Sequence, residues 1–402
     1  LTFTEEAGVL ALARAIMPCN HKQDKDPAFF VSEMVRSYNN AKPVFKMTGD
    51  EENISCQIFD LPHGFLKEDR EAMLGWFEKH LKGIGSGESK KEGHYDLLTE
   101  EDLMVFKKGE RDPRVLTTVE YSIIKGNELR AAFLNKKVLN VDQKKKELRD
   151  ILRLNEMSDL KKIHQFPSQK GWDRFALETS DNKLIPLLHF APANKSAGYV
   201  ILCDPLGKSR IDLSYIDELK KKGSGIVIVD LTGTGEASTS MDKSSRGILL
   251  HNLSRAELWL GKTILGEWVK ELTIVNQFLK TSYQAQKVSI DGSKEAGLAA
   301  LFLCAVSADD KIENLIIRNA PLSYIFDKKE NIDFFSMGIH LPGFLIWGDV
   351  SLAVALCGKN VSFINPVTMS GQKIDGDKLE EFMREFKNLR SICNQPGITI
   401  FN

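Results

Sequence analysis

No two of the six cysteines (Cys19, Cys56, Cys203, Cys304, Cys357 and Cys393) stand in a CxxC pair, and their spacing is wide and irregular. Neither a cysteine-built zinc site nor a disulfide framework is supported by such a pattern. Most lie in apolar runs such as "VILCD" and "LFLCAV", which suits buried free thiols. Charge of one sign is equally scarce. Lys+Arg 54 against Asp+Glu 55 leave a formal net charge of -1. That balance carries no electrostatic footprint for nucleic acid or an anionic membrane surface. No apolar run reaches the roughly 18 residues that a membrane span requires. A basic segment followed by an apolar one is also missing from the start, so no secretory signal is legible. The chain opens on Leu1 with "LTFTEEAGVLALARAIMPCN" and reads as cut from something longer. Compartment and oligomeric state are therefore unreadable.

What is present describes a globular protein. The 402 residues, 42% hydrophobic and 27% charged, suffice for two or three domains. From about residue 170 onward, "GYVILCD", "GIVIVDL", "KVSIDG", "ENLIIRNA" and "NVSFINP" read as short Val- and Ile-rich strands. Helical patterns at 255–280 and 295–308 separate several of them, the signature of a mostly parallel sheet wound with helices. Near the start, "ALARAIMPCN" reads as a helix end running into a strand, with a helix over about 29–39 and short strands in "KPVFKM" and "ISCQIF". After His63 a further helix places Met73, Trp76, Phe77 and Leu81 on one face and stops at Gly83. Between these regions, "GIGSGESKKEGH" is a flexible-linker composition and "NVDQKKKELRDILRLNEMSDLKKIHQ" a charged helical stretch. The expected organisation is a C-terminal portion of one α/β domain over 1–83, a partly helical connector over 84–165, and a second α/β domain over 166–402. "EEAGVLALARAIMPCNHKQDKDPAFFVSEMVRSYNN" and "GDVSLAVALCGKNVSFINPVTMSGQKIDGDKLEEFMREFKN" share one order of elements, an internal repeat that suggests two copies of one fold.

His63, in "FDLPHGFLKEDREAMLGWFEKHLKG", ends a short apolar run just before a helix. A lone histidine is ordinarily a surface or satisfied core residue. This one sits on a loop at a strand's C-terminal end, where α/β enzymes gather their chemistry, and an imidazole exchanges a proton near neutral pH. A base of this kind needs a carboxylate to fix its tautomer. Asp24, with Asp26 as substitute, lies in the loop "CNHKQDKDP" after the preceding strand, although such residues also serve turns.

A nucleophile is harder to find. None of the serines has glycine at both −2 and +2, so no G-x-S-x-G elbow exists. The nearest elbow, "VSIDGSKEAGLAALF", holds Lys294 at the nucleophile position and Ser293 one place early. A retained elbow with a lost nucleophile is the plainer account. "VILCDPLGKS" and "AELWLGKT" imitate a P-loop but have Leu202 and Ala256 where its first glycine belongs. "DLTGTGEAS" lacks the last glycine of a dinucleotide fingerprint, Ser238 standing there, and reads as a loop shaping the mouth of a sheet.

Taken together, "TEEAGVLALARAIMPCN", "PHGFLKEDREAMLGWFEKHLKG", "DLTGTGEA", "DGSKEAGLAALF" and "LPGFLIWGDV" resemble the tandem α/β-hydrolase proteins of the acetyl xylan esterase-like kind. The resemblance implies an α/β-hydrolase-like fold, mostly parallel with helices on both faces, and serine carboxylic-ester hydrolysis of acetylated plant polysaccharide or related esters. It implies Asp24 as acid and His63 as base, with the serine outside this chain, no metal or organic cofactor, and a periplasmic or secreted setting. The second domain, with Lys294 at its elbow and His340 too early for the histidine position, is expected to be a degenerate hydrolase. The rival expectation is a non-catalytic module that binds carbohydrate or a partner protein.

Overall fold

The computed structural model describes residues 15, 17–25, 29–106, 112, 114–154, 156–194, 197–238, 248–307 and 311–402. They divide into two compact units, Leu1–Arg111 and Asp112–Asn402.

In the smaller unit, β1 (Cys19–His21) runs into α1 (Val31–Thr48), β2 (Gln57–Phe59) follows, and α2 (Lys67–Phe77) begins after the His63 loop. The two strands pair in parallel. Here the structure corrects one local expectation. "KPVFKM" is the last part of α1, not a strand, and the helix runs through Pro43 to the left-handed Gly49. The proline deletes a helical hydrogen bond, but Tyr38, Ala41 and Phe45 fall on one face and close over Ile54. Phe45 is fully buried, and that burial outweighs the local signal. A second correction concerns α2. Its buried side is Asp69, Ala72, Gly75 and Trp76, whereas Phe77 and Leu81 are 48% and 76% exposed. The helix loosens into a π-type turn over Glu78–Lys82 before Gly83, at φ +67°, ends it.

The larger unit opens with α3 (Thr118–Leu134) and α4 (Val141–Ile151). Both lie in the stretch expected to be a connector, yet Phe133, Leu148, Leu152 and Leu154 are part of this unit's core. Their starts are capped: Thr117 and Glu120 exchange hydrogen bonds, and Asn140 accepts from Gln143 N–H at 3.0 Å. Next come β3 (Leu160–Gln169), β4 (Trp172–Thr179) and β5 (Leu184–Phe190), an antiparallel run. The remaining strands are β6 (Tyr199–Cys203), β7 (Gly225–Val229), β8 (Val288–Ser293), β9 (Ile312–Arg318), β10 (Asn360–Ile364) and β11 (Thr399–Phe401). Among the described residues they form one nine-stranded sheet in the order β11-β10-β9-β8-β6-β7-β5-β4-β3, parallel from β7 to β11.

Helices cover both faces, as a parallel sheet requires. Leu202, Ile226 and Ile228 point to one side and meet Ile216 and Leu219 of α5 (Leu213–Lys221). Ile201, Cys203, Val227 and Val229 alternate to the other side. There they join the main core with residues of α7 (Ile264–Tyr283) and α8 (Lys294–Val306), which follow α6 (His251–Trp259). The single helix expected over 255–280 is thus two, broken at Gly261 with φ +74°. From β6 the chain crosses to β7 on one flank and later to β8 on the other. The C-terminal ends of β6 and β8 therefore form a topological switch point, where a crevice opens.

Glu271 of α7 is buried and accepts the Thr232 N–H at 2.8 Å as well as its hydroxyl. Burial pushes its carboxyl from the ordinary 4.5 up to about 7, against the lowering effect of Thr232. The folded chain then holds a proton that the unfolded chain releases, so stability falls as pH rises across that window. We expect Glu271→Gln to remove up to about 3 kcal/mol of this dependence. Urea unfolding of both proteins at about pH 5 and about pH 8 measures it; a difference between them that stays constant with pH contradicts the assignment.

Candidate functional site

In the smaller unit, the β1–α1 loop and the β2–α2 loop leave neighbouring parallel strands at the same end. That geometry brings Asp24 and His63, 39 residues apart in sequence, together: His63 Nδ1 and Asp24 Oδ2 lie 2.6 Å apart. Asp24 is almost wholly covered, its side chain 3% exposed, while the imidazole is 63% exposed. A buried acceptor on Nδ1 holds the proton there and leaves Nε2 as the lone-pair nitrogen. Phe29 packs on the ring, with centroids 4.9 Å apart. His63 also lines a cavity of about 410 Å³ with Phe65, Met73, Trp76 and Phe77. The exposed Phe77 thus walls this cavity. Asp26, the substitute acid, lies outside the described residues.

A second histidine–carboxylate pair escaped the sequence reading. His21 Nε2 lies 3.1 and 3.2 Å from the two carboxylate oxygens of Asp69, and both residues are buried in the wall of the same cavity. Asp69 also accepts the Leu66 N–H at 2.8 Å. The pair ties β1 to the start of α2 and so fixes the loop that carries His63. Only the folded chain reveals it, because Asp69 stands 48 residues away on α2.

At the switch point of the larger unit, the elbow is intact in shape. Lys294 follows β8, starts α8 and holds a left-handed backbone at φ +48°. A non-glycine residue seldom adopts that conformation. The tight turn is possible because Gly292 and Gly297 touch backbone to backbone: a Cβ on Gly292 would stand 2.7 Å from Gly297 N. Ser293 is the extended residue before the helix. His340 is exposed and its Nδ1 lies 3.0 Å from the Met337 carbonyl.

The "GKS" imitation of a phosphate loop and the glycine-rich "DLTGTGEAS" have structural duties. Lys208 of "GKS" forms an ion pair with Asp230, which opens "DLTGTGEAS". Asp230, 2% exposed, also accepts from the backbone N–H groups of Lys208 and Glu236 at 2.7 and 2.9 Å. One buried carboxylate thus laces two loops together where a phosphate would have to sit. Among the described residues no cluster of three or more His, Cys, Asp or Glu could hold a metal ion. No single helix there is long and apolar enough to cross a membrane.

No family model matches the sequence, and no curated protein matches it. Solved structures do match. One is a protein from Bacteroides fragilis assigned as an acetyl xylan esterase, 16% identical, with a TM-score of 0.52, covering 76% of this chain and 86% of its own. Another is an acetyl xylan esterase from Paenibacillus sp. R4, 8% identical, with a TM-score of 0.43 and coverage of 69% and 91%. A third is an esterase from Pyrococcus furiosus, 15% identical, with a TM-score of 0.39 and coverage of 61% and 88%. At such identities the likeness is one of fold, and the fold is that of the α/β-hydrolases.

The elbow yields a direct test. Gly292→Ala puts a methyl against backbone that cannot swing aside, so α8 must shift. We expect a loss of about 1–3 kcal/mol, read as a lower denaturant midpoint with an unchanged slope. An unaltered midpoint contradicts the backbone contact.

Proposed function

We propose that this chain is the base-and-acid portion of a serine ester hydrolase. The reading is carried by the 2.6 Å His63–Asp24 pair, presented on an exposed imidazole at the edge of a cavity. In this reading His63 Nε2 takes the proton of an attacking serine, Asp24 holds the imidazolium, and an acyl-enzyme forms and is hydrolysed. No serine of this sequence stands in a G-x-S-x-G elbow, so the attacking hydroxyl belongs to a residue outside these 402. The structural likeness to the Bacteroides fragilis protein supports an ester of the acetylated polysaccharide class as substrate.

The same proposal takes the two units as copies of one fold. In both, a parallel strand pair encloses an 18-residue helix, and paired positions lie 38 residues apart: Cys19 with Gln57, Val361 with Thr399. Where Asp24 follows His21 by three, Pro366 follows the matching Phe363, so the second copy has no carboxylate at that place. Lys294 at its elbow favours a non-catalytic role for this unit, as a binding module.

Extending the chain through its coding region to include a serine elbow tests the catalytic reading. Turnover of p-nitrophenyl acetate should appear, His63→Ala should abolish it, and Asp24→Asn should lower kcat by about 10⁴-fold. Turnover by the extended protein that survives His63→Ala would sink the proposal.

A further inference from the structure

Two cavities adjoin at the switch point of the larger unit. The smaller, about 280 Å³, lies over the elbow and is lined by Asp204, Ser293, Lys294, Glu295 and Asn319 among others. The larger, about 680 Å³, is walled mainly by apolar side chains such as Val119, Leu258, Ile332, Met337 and Phe344. Ile248, Asp333, Phe335 and Ser336 line both, so the cavities share a wall.

The charge placed at this junction is unusual. Lys294 pays for a left-handed backbone, and its ammonium has no ion-pair partner among the described residues. It rests 4.3 Å from the centre of the Phe334 ring and 5.9 Å from that of Phe335. Two polar atoms buried in the cavity walls also lack partners among the described residues: Glu295 Oε2 in the smaller cavity and Tyr324 Oη in the larger. Glu295 is 1% exposed, and burial pushes its carboxyl pKa up while the Ser336 hydrogen bond and the Lys294 charge oppose that shift. Asp204 is held locally by the Leu206 N–H at 2.8 Å, and Asp333 is exposed at the rim. A cation beside a large apolar space describes a ligand with one anionic end and one greasy end.

We propose that the double cavity binds a medium-chain monocarboxylate, its alkyl chain in the larger cavity and its carboxylate on Lys294. This site shares no residue with the His63–Asp24 pair and stands whether or not that pair is catalytic.

Calorimetric titration of the 402-residue chain with decanoate tests it. Decanoate should bind, and shortening it to hexanoate should weaken binding by about three- to fourfold per methylene. Lys294→Met should weaken decanoate by about tenfold or more while leaving decanol unchanged, and Lys294→Arg should restore most of the loss. Ile332→Trp, at an exposed side chain on the larger wall, should weaken decanoate without changing Tm. The proposal is overturned by an absence of binding at about 1 mM decanoate, by acetate binding as tightly as decanoate, or by Lys294→Met binding decanoate like the parent. Should Lys294→Met fail to fold, the parent chain decides: decanol binding as tightly as decanoate overturns the proposal.

Discussion

The backbone contact between Gly292 and Gly297 governs the larger unit. It lets α8 start within van der Waals distance of the strand that feeds it, so the residue between them must turn through a left-handed conformation. Any side chain at position 294 is then thrust into the crevice at the switch point, whatever its chemistry. In an active hydrolase that mechanical outcome presents a serine. Here it presents an ammonium. Loop lacing around Asp230 and the burial of Glu271 belong to the same frame, because both hold loops at that end of the sheet.

The smaller unit solves a different positional problem. Its acid and its imidazole come from separate loops and meet only because β1 and β2 are parallel and adjacent. The His21–Asp69 pair clamps that arrangement from beneath, joining the first strand to the helix that follows His63. A short hydrogen bond between one ring nitrogen and a covered carboxylate gives the imidazole a direction.

Much of this was legible in the residues. The β-branched runs marked β6 to β10 because a strand buried on both faces must be apolar at every position. Gly83 and the glycines of the elbow were readable since few other residues tolerate those turns. The antiparallel strands β3 to β5 were hidden by a charged flank, although Lys170-Gly171, with φ of +50° and +80°, marks the turn between the first two. The helices over 118–151 were equally obscured, because their charge suggested a connector while Phe133 and Leu148 were quietly supplying core.

Sequence alone determined the alternation of elements, the choice of Asp24 and His63 as candidates, and the lysine at the turn after β8. Those properties are local: they follow from period, turn chemistry and residue type. Tertiary structure alone decided that "KPVFKM" is helical, that His21 has Asp69 as partner, and that an apolar cavity adjoins the elbow. Each of these depends on burial or on groups far apart in the chain, and burial is a property of the fold that no single segment carries.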